Sequence, residues 1–288
     1  MSKVLVTGAS GFIGKHLVPK LSSCQYDIIE VSSLTGDIAD KDTWSHFEHA
    51  EVLVHLAGST FVPDSWKDPL GFLETNFNGT VCALDYCRNH NTRLVYLSSY
   101  LYGNPSKLPI PESAHLIANN PYALSKKLSE EACKFYADIF GVIVTILRPF
   151  NVYGPGQSAQ FLIPSLINQV LAGDSIHVKD LEPRRDYIYI DDLVDAIVKA
   201  VDAQLDFEIF NIGMGTSYSV AELIDIIQDI KGTNLLVQSD GERRPEEVMD
   251  TQADITKALE TLGWSPKYSL RSGLEKMLGY YCDSDDTR

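Results

Sequence analysis

The sequence is poor in the features that mark membrane-spanning, secreted and metal-binding proteins. No apolar run approaches the roughly 18 residues of a transmembrane helix, and the first residues lack the basic-then-apolar layout of a signal peptide. The five cysteines include no Cys-x-x-Cys pair, so neither a disulfide framework nor a metal site is predicted. We therefore expect a cytoplasmic protein with reduced thiols.

Positive charge is also scarce. The 24 Lys and Arg residues face 39 Asp and Glu residues, which gives a net charge of −15. Such a charge argues against nucleic acid or an anionic membrane as a partner. It still permits an anionic small ligand, because helix N-termini and a few arginines can bind phosphate groups locally. With 44% hydrophobic and 22% charged residues among 288, the chain fits an ordinary globular protein with a full core.

What is present begins with a glycine-rich turn after the first apolar run. Lys3-Val-Leu-Val-Thr7 predicts a strand, and Gly8-Ala-Ser-Gly11-Phe-Ile-Gly14 follows it before a helical pattern. Glycines permit a tight turn and close backbone approach to a ligand, and the N-terminus of the next helix favours a pyrophosphate. The spacing differs from the commoner dinucleotide fingerprint. We therefore predict a dinucleotide site chiefly because these glycines lie at the first strand–helix junction.

Alternating strand and helix patterns predict an α/β fold. Apolar runs at residues 26–31, 51–55, 93–97 and 142–147 indicate parallel strands, with helical stretches at 66–90 and 120–140 between them. We predict a Rossmann-type doubly wound parallel sheet with a smaller, interleaved α/β lobe. Residues 1–156, with the elements near 184–212, form the predicted dinucleotide-binding domain. Residues 157–183 and 213–288 form the predicted substrate lobe.

The end of the second strand bears on the choice of cofactor. Proteins that bind a cofactor without a 2′-phosphate commonly place Asp or Glu about 20 residues beyond the glycines, and this chain has Ser32 there. A serine does not repel a 2′-phosphate, although no Lys or Arg follows before Lys41. The expected cofactor is NADP(H) or NAD(H), with a slight preference for NADP(H). His55 has no carboxylate or metal partner nearby in the sequence and is predicted to be a packing residue.

Tyr122 and Lys126 open a predicted helix and lie one turn apart on the same face. Neither a phenol nor an ammonium group exchanges its proton readily at neutral pH when unperturbed. An adjacent ammonium stabilises the phenolate and lowers the pKa of the tyrosine, so the pair can give or take the proton of an alcohol. Pairs with this spacing are common on helices, and the meaning of this one depends on the rest of the chain.

Together these motifs resemble the extended short-chain dehydrogenase/reductases, in the NAD-dependent epimerase/dehydratase family. The resemblance runs from about residue 3 to about residue 278. It rests on the glycine turn, His55-Leu-Ala-Gly58, Asn76, Ser98, Tyr122-x-x-x-Lys126 and Arg148-Pro-Phe-Asn151. Within the family the chain looks most like the reductases of nucleotide-diphospho-4-keto-6-deoxysugars, of the GDP-4-keto-6-deoxymannose reductase type.

The resemblance implies a catalytic set and a cofactor site. Ser98 would hydrogen-bond the sugar oxygen, Tyr122 would be the general acid/base, and Lys126 would bind the nicotinamide ribose and lower the pKa of Tyr122. The implied cofactor-binding residues are Gly8, Gly11, Phe12, Ile13, Gly14, Ser32, Asp37, Ile38, Leu56, Ala57, Asn76, Tyr122, Lys126 and Phe150.

The same resemblance implies a nucleotide-diphospho-sugar as the substrate. Asn151, Arg185 and Arg244 match diphosphate-binding positions, and guanidinium groups suit phosphate oxygens. Glu247 matches a position that binds the nucleotide ribose. The full implied substrate set is Thr60, Ser99, Asn151, Arg185, Arg244 and Glu247. Many relatives dimerise through the helices that correspond to residues 66–90 and 120–140, so we expect a homodimer.

Departures from the family patterns narrow the expected reaction. The 4,6-dehydratases carry an Asp-Glu pair where this chain has Ser99 and Tyr100, so elimination of water lacks an acid/base pair. The fucose-synthase type needs a cysteine at the position of Tyr100 and a histidine after Tyr-Gly-Pro, where this chain has glycine. Hydride transfer at one carbon remains. We expect a 4-ketoreductase, with a 4-epimerase holding NAD tightly as the alternative. A non-catalytic NAD(P)-sensing protein is the alternative of another class.

Overall fold

The computed structural model describes residues 2–242 and 247–285. Within these ranges the chain forms eleven strands: β1 (Lys3–Thr7), β2 (Asp27–Val31), β3 (Val52–His55), β4 (Arg93–Leu97), β5 (Val144–Pro149), β6 (Asn151–Tyr153), β7 (Ser175–Val178), β8 (Arg184–Tyr189), β9 (Phe207–Ile212), β10 (Ser217–Ser219) and β11 (Leu236–Ser239).

The same ranges contain ten α-helices: α1 (Phe12–Ser23), α2 (Lys41–Trp44), α3 (Val62–Ser65), α4 (Pro69–Phe72), α5 (Gly79–His90), α6 (Pro121–Phe140), α7 (Leu162–Ala172), α8 (Ile190–Asp202), α9 (Val220–Lys231) and α10 (Leu270–Asp285). Two π-helical segments cover Leu73–Asn78 and Ala258–Leu262. Across the described part of the chain, no helix combines the length and the apolar character needed to cross a bilayer.

Six strands form one parallel sheet in the order β2-β1-β3-β4-β5-β9. The chain leaves β1 toward β2 on one side and returns to β3 on the other, so the strand order reverses between β1 and β3. Ligands of open parallel sheets bind beyond the carboxyl ends of the strands at such a reversal. The predicted Rossmann-type doubly wound α/β fold is confirmed.

The crossover helices bury this sheet on both faces. Val4 and Val6 of β1 point into one core layer and Leu5 into the other, as the two-residue period of a strand requires. The first layer contains Leu17 of α1 and the second contains Leu84 of α5. Because both faces are covered, the sheet meets solvent and ligands only at the ends of its strands.

Two smaller sheets lie outside the six-stranded sheet. One has the order β10-β8-β6 and the other pairs β11 with β7. The sequence-based division placed β6 and β8 with the dinucleotide-binding domain, whereas the structure pairs them in the small sheet. β9 does join the large sheet, beside β5. The chain thus alternates between the sheets. The domain boundaries inferred from the sequence remain a prediction.

The single helix predicted over residues 66–90 is divided in the structure. α4 is followed by the π-helical segment Leu73–Asn78 and then by α5. A π-helical turn holds one more residue than an α-helical turn and commonly occurs at functional sites. Here it carries Asn76, which is buried.

The turn between β1 and α1 is so tight that its glycines cannot be replaced without clashes. Gly8 has a left-handed backbone (φ +70°), and a Cβ built there would lie 2.8 Å from the backbone nitrogen of Ala57. A Cβ at Gly14 would lie 2.3 Å from the carbonyl oxygen of Gly8. The amide of Gly11 donates to that same carbonyl at 3.0 Å. The first turn of α1 therefore packs directly against the turn that follows β1.

Replacing Gly14 by alanine is expected to lower the free energy of unfolding by about 1–3 kcal/mol, because the new methyl group overpacks against backbone atoms. Gly279→Ala is the matched control, since a Cβ at Gly279 in α10 meets no heavy atom within 4 Å. The control should gain roughly 0.5–1 kcal/mol from better helix propensity. Urea unfolding measures both variants. A Gly14→Ala protein as stable as the wild type would contradict the tight packing of the turn.

Candidate active site

The residues predicted for the cofactor and the chemistry converge beyond the carboxyl ends of β1, β3, β4 and β5. The glycine turn follows β1, Leu56 and Ala57 follow β3, and Ser98 follows β4. The amide of Ala57 donates to the hydroxyl of Thr7 at 3.2 Å, which joins the ends of β3 and β1. The glycine turn leaves an open cradle of backbone atoms at the start of α1. Such a cradle fits a dinucleotide pyrophosphate.

The end of β2 forms a tight turn rather than an acidic pocket. The amide of Thr35 donates to the carbonyl of Ser32 at 2.9 Å, and the amide of Leu34 donates to the Ser32 hydroxyl at 3.3 Å. Asp37 is exposed, and its carboxylate accepts from the amide of Ala39 at 2.9 Å. Ile38 is buried and packs against α5 at Gly79. The side chain at the strand end is thus a serine, as the sequence predicts.

Asn76 ties the loop after β3 to helix α6. Its side-chain oxygen accepts from the amide of Ser59 at 2.7 Å, and its amide group donates to the Ser59 carbonyl at 3.0 Å and to the Ser125 hydroxyl at 2.9 Å. All three bonds depend on the π-helical segment, which turns Asn76 toward α6. Thr60 lies one residue beyond this bonded loop and is exposed.

His55 is a packing residue, as predicted. It is buried at the end of β3, its Nδ1 lies 2.8 Å from the Thr7 hydroxyl, and its ring stacks on Tyr96 with centroids 6.0 Å apart. Burial, assisted by the nearby Lys126 ammonium, lowers the pKa of His55 to about 3. The imidazole is therefore neutral at physiological pH and cannot act as an acid.

Tyr122 and Lys126 occupy the first turns of α6, as the sequence predicts. The side chain of Asn120 caps this helix by accepting from the amide of Ala123 at 2.8 Å. The Lys126 ammonium is buried and donates to the carbonyl of Leu97, at the end of β4, at 2.8 Å. It also lies 4.9 Å from the centre of the Tyr96 ring. Helix α6 is therefore joined to β4 at the level of the site.

The protonation state of Tyr122 differs from the prediction. Burial raises the pKa of Tyr122, and an interaction with the Ser99 hydroxyl offsets only part of this rise. Lys126 does not lower the pKa of Tyr122 as expected, and its buried ammonium donates to the Leu97 carbonyl. Burial lowers the pKa of Lys126 to about 8. Tyr122 is a protonated phenol at neutral pH.

The structure gives the two serines after β4 different surroundings. Ser98 was predicted to face the reacting oxygen, but it is buried and its hydroxyl donates to the Glu130 carboxylate at 2.5 Å. Ser99 is half-buried and its hydroxyl interacts with the phenol of Tyr122. The physical reason is the alternation of side chains at a strand end, which turns neighbouring residues to opposite sides. The hydroxyl beside the phenol belongs to Ser99.

A buried ion pair that the sequence analysis missed lies behind the serines. Nε and Nη2 of Arg148 donate to the Glu130 carboxylate at 3.0 and 2.5 Å. Nη1 donates to the Tyr102 hydroxyl at 2.9 Å and to the Glu112 carbonyl at 3.0 Å. The Tyr102 hydroxyl then donates to Asn211 at 2.5 Å. The network joins α6, β5, β9 and the segment after β4.

Two signals in the sequence could have revealed this pair. Glu130 follows Tyr122 by two helical turns and Lys126 by one, so all three lie on one face of α6. Arg148 lies within the otherwise apolar run Val-Thr-Ile-Leu-Arg-Pro of β5. A charge within a strand that is buried on both faces requires a buried counter-charge.

The described substrate residues gather around β6 and β8. The Asn151 side chain donates to the carbonyl of Asp186 at 3.2 Å and accepts from the Tyr100 hydroxyl at 3.0 Å. Nη1 of Arg185 donates to the carbonyl of Val248 at 2.6 Å, and Nη2 pairs with the carboxylate of Glu247. The predicted Arg185 and Glu247 are thus in contact. Arg244 lies outside the described residues.

Asp186 is a further buried charge that the sequence analysis missed. Its carboxylate accepts from the amides of Met214 at 2.6 Å, Gly215 at 2.9 Å and Ala253 at 3.0 Å. Burial raises the pKa of Asp186 to about 6 in spite of these three donors. The residue holds two loops against β8 next to Arg185, and its role is structural.

Phe150, a predicted cofactor-binding residue, packs among aromatic rings. Its ring is buried, with a centroid 5.0 Å from that of Tyr100 and 6.4 Å from that of Tyr102. It belongs to a small cluster with Ile110 and Ala253. Its contact with a cofactor remains a prediction.

The chain is similar to known proteins of one family, and these relatives have more than one activity. The sequence model of the NAD dependent epimerase/dehydratase family matches residues 4–213. The GDP-6-deoxy-D-mannose reductase of Pseudomonas aeruginosa is 30% identical over 96% of this chain and 96% of its own length. The UDP-glucose 4-epimerase of Lactobacillus helveticus is 29% identical over 92% of both chains.

Solved structures give the same picture. The UDP-glucose 4-epimerase of Thermotoga maritima with UDP-glucose has a TM-score of 0.91 and 29% identity, covering 98% of this chain and 99% of the other. RMD from Pseudomonas aeruginosa complexed with NADPH has a TM-score of 0.91 and 28% identity, covering 99% of this chain and 100% of the other. Reductase and epimerase are thus similar to this chain to nearly the same degree.

Arg148→Met is expected to lower the free energy of unfolding by roughly 3–5 kcal/mol, because it leaves the Glu130 carboxylate buried without a counter-charge. Lys134→Met is the matched control. It removes one member of the exposed Lys134–Asp138 pair on the same helix, which should change stability by about 1 kcal/mol or less. Urea unfolding of both variants measures the difference. Equal, small losses would show that the buried pair does not hold the site together.

Proposed function

Because the chain belongs to the NAD dependent epimerase/dehydratase family, we propose that it reduces the 4-keto group of a nucleotide-diphospho-6-deoxysugar. The chain is an NAD(P)-dependent sugar-nucleotide enzyme, and the proposal names one reaction within that class. The observation that carries it is the placement of Tyr122 and Lys126 one turn apart in α6, with Lys126 bonded to the carbonyl of Leu97 at the end of β4. Reduction of a ketone requires an acid at the oxygen, and this phenol holds the proton.

The residues present fit a nicotinamide dinucleotide. The glycine turn would hold its pyrophosphate, Asp37 the adenine side, and Asn76 with Lys126 the nicotinamide ribose. When bound, the reduced cofactor supplies the hydride. Ser32 offers no negative charge at the end of β2, so a 2′-phosphate meets no repulsion there. We therefore propose NADP(H) as the preferred cofactor, as in the NADPH complex of RMD.

Tyr122 and Ser99 act together on the oxygen at C4. As that oxygen gains negative charge, the phenol of Tyr122 gives it a proton and the Ser99 hydroxyl donates a hydrogen bond to it. General acid catalysis of this kind contributes about 10²–10⁴-fold to the rate. Lys126, one helical turn from Tyr122, would hold the nicotinamide ribose in this proposal. Ser98 takes no part in the chemistry, because its hydroxyl is engaged with Glu130.

The proposed substrate-binding residues lie on the other side of the cleft. Asn151 and Arg185 come from β6 and β8, and both can donate hydrogen bonds to a diphosphate. Glu247 holds the guanidinium of Arg185 from one side. Arg244 would complete this set, and Thr60 would border the sugar from the loop after β3. The relatives that carry UDP-glucose support a nucleotide-diphospho-sugar as the ligand.

A 4-epimerase is the second candidate, and the similarity to UDP-glucose 4-epimerases favours it. Epimerisation needs the same tyrosine and serine, but the keto sugar must turn over between two hydride transfers. It also needs a cofactor that stays bound. A non-catalytic NAD(P)-sensing role is disfavoured, because Ser99, Tyr122 and Lys126 form a complete acid/base set.

We also propose that the protein is a homodimer. Helix α6 exposes Phe135, Ile139 and Phe140, which together form an apolar surface far from the candidate site. The ring of Phe140 is partly covered by the guanidinium of Arg88 from α5. Exposed apolar patches of this kind mark protein–protein contacts. A cytoplasmic location remains a prediction.

The direct test is turnover by the purified protein. We expect one NADPH to be oxidised, measured by its absorbance, for each molecule of GDP-4-keto-6-deoxymannose or another nucleotide-diphospho-4-keto-6-deoxysugar that is reduced. We expect no cofactor to stay bound through purification. The Tyr122→Phe variant should bind NADPH normally but lose about 10²–10⁴-fold in kcat. Tightly bound NAD with interconversion of UDP-glucose and UDP-galactose would instead establish the epimerase. Wild-type turnover by Tyr122→Phe would overturn the assignment of the acid.

The two serines are distinguished by a pair of alanine variants. Ser99→Ala should lower kcat by roughly 10²–10³-fold, the usual cost of removing a donor to a developing oxyanion, and leave stability nearly unchanged. Ser98→Ala should leave kcat within a few-fold and instead lower the free energy of unfolding by about 1–3 kcal/mol, because a buried carboxylate loses a donor. Steady-state kinetics and urea unfolding measure the two effects. The reverse pattern would restore the role first predicted for Ser98.

A further inference from the structure

Tyr100 lies between the two halves of the proposed site. It follows Ser99, whose hydroxyl interacts with Tyr122 at the chemical end. Its own hydroxyl donates to the side-chain oxygen of Asn151 at 3.0 Å, at the proposed diphosphate end. The phenol of Tyr100 also contributes to the raised pKa of Tyr122. A sugar that joins the diphosphate to the reacting carbon must pass along this side chain.

The hydroxyl of Tyr100 fixes how Asn151 can bind. The Asn151 oxygen is taken by Tyr100, and one hydrogen of its amide nitrogen is taken by the Asp186 carbonyl at 3.2 Å. One N–H of that amide remains for a ligand. Without the Tyr100 hydroxyl the amide would lose the bond that sets its rotation. The diphosphate would then meet a donor that is no longer fixed in direction.

The ring of Tyr100 has one covered face and one available face. Its covered face stacks on the buried Phe150 ring, with centroids 5.0 Å apart and an interplanar angle of 13°. Phe150 is held in turn by Tyr102, whose hydroxyl belongs to the Arg148 network. Tyr100 itself is only half-buried. A flat apolar surface is therefore backed by Phe150 and partly exposed, as in pockets that pack ligands against aromatic rings.

We propose that Tyr100 is a specificity-determining residue that packs against the sugar of a nucleotide-diphospho-sugar and holds it in one orientation. The inference rests on the proposed function for the identity of the ligand. The open face of the ring contacts the C–H face of the sugar, while the hydroxyl directs Asn151 toward the diphosphate. With the sugar held so, one face of the C4 ketone meets the hydride. Bound NADPH would supply the hydride to C4 and Tyr122 would supply the proton to the oxygen, so a single C4 epimer would form.

A binding experiment that needs no turnover tests the contact. Calorimetry with the NADPH-loaded protein compares GDP with GDP-mannose, and UDP with UDP-glucose, on wild type, Tyr100→Phe and Tyr100→Ala. Tyr100→Phe should weaken the nucleoside diphosphate and its sugar conjugate equally, by roughly 3- to 10-fold, because only the bond to Asn151 is lost. Tyr100→Ala should weaken the sugar conjugate by roughly a further 3- to 10-fold, the contribution of an aromatic contact. Tyr280→Ala, on the exposed surface of α10, is the control and should change neither.

The outcomes separate the two parts of the proposal and the proposed function. Equal affinities of Tyr100→Phe and Tyr100→Ala for the sugar conjugates would overturn the ring contact. Unchanged diphosphate affinity in Tyr100→Phe would overturn the orientation of Asn151. Failure of the wild type to reduce any 4-keto sugar, with the binding pattern intact, would refute the reductase and leave Tyr100 as the sugar contact.

The stereochemical part has its own measurement. Where the wild type reduces a 4-keto sugar, nuclear magnetic resonance of the product should show one C4 epimer for wild type and Tyr100→Phe and both epimers for Tyr100→Ala. A merely structural role would lower the rate of Tyr100→Ala and keep a single epimer. A single epimer from Tyr100→Ala would therefore overturn the control of orientation.

Discussion

The buried ion pair between Arg148 and Glu130 is the interaction on which the candidate site depends. Two charges removed from water are unfavourable unless each is also hydrogen-bonded. Here the guanidinium reaches the Glu130 carboxylate, the Tyr102 hydroxyl and the Glu112 carbonyl together. Satisfying all of these groups allows only one spacing of α6, β5 and the segment after β4. Since Tyr122 lies two turns before Glu130 on a rigid helix, the position of the phenol follows from the same constraint.

The pair also influences the charges within the site. Glu130 lies one turn beyond Lys126, and its carboxylate raises the pKa of that lysine against the larger lowering by burial. Without a carboxylate nearby, a buried ammonium would lose its proton more readily. Arg148 places a permanent positive charge beside Glu130, because the arginine remains charged at any physiological pH. The alternating charges of Arg148, Glu130 and Lys126 therefore favour the charged form of the buried Lys126 ammonium.

Local patterns predicted the fold and the helix-borne part of the site well. The glycine turn, the Tyr122–Lys126 pair and the buried His55 depend on residues close together in sequence, and the structure has them as expected. The different surroundings of Ser98 and Ser99 were not predicted, because a shift of one residue at a strand end turns a side chain to the opposite side. The protonated state of Tyr122 was missed because burial is set by tertiary packing. The Arg148–Glu130 pair joins two elements through the fold; the sequence pattern can mark each charge as buried, but not that the two meet.

The segment after β4 gives each of its polar side chains a different partner. Ser98 meets Glu130, Ser99 meets Tyr122, Tyr100 meets Asn151 and Tyr102 meets Arg148. A point mutation alters one of these contacts. Insertion or deletion of a single residue would instead shift the register, so that each side chain would lie at the position of its neighbour. Small changes of loop length cost little chain entropy. Divergence of reaction type on this scaffold can therefore proceed through the length of one short segment, with the acid/base helix left untouched.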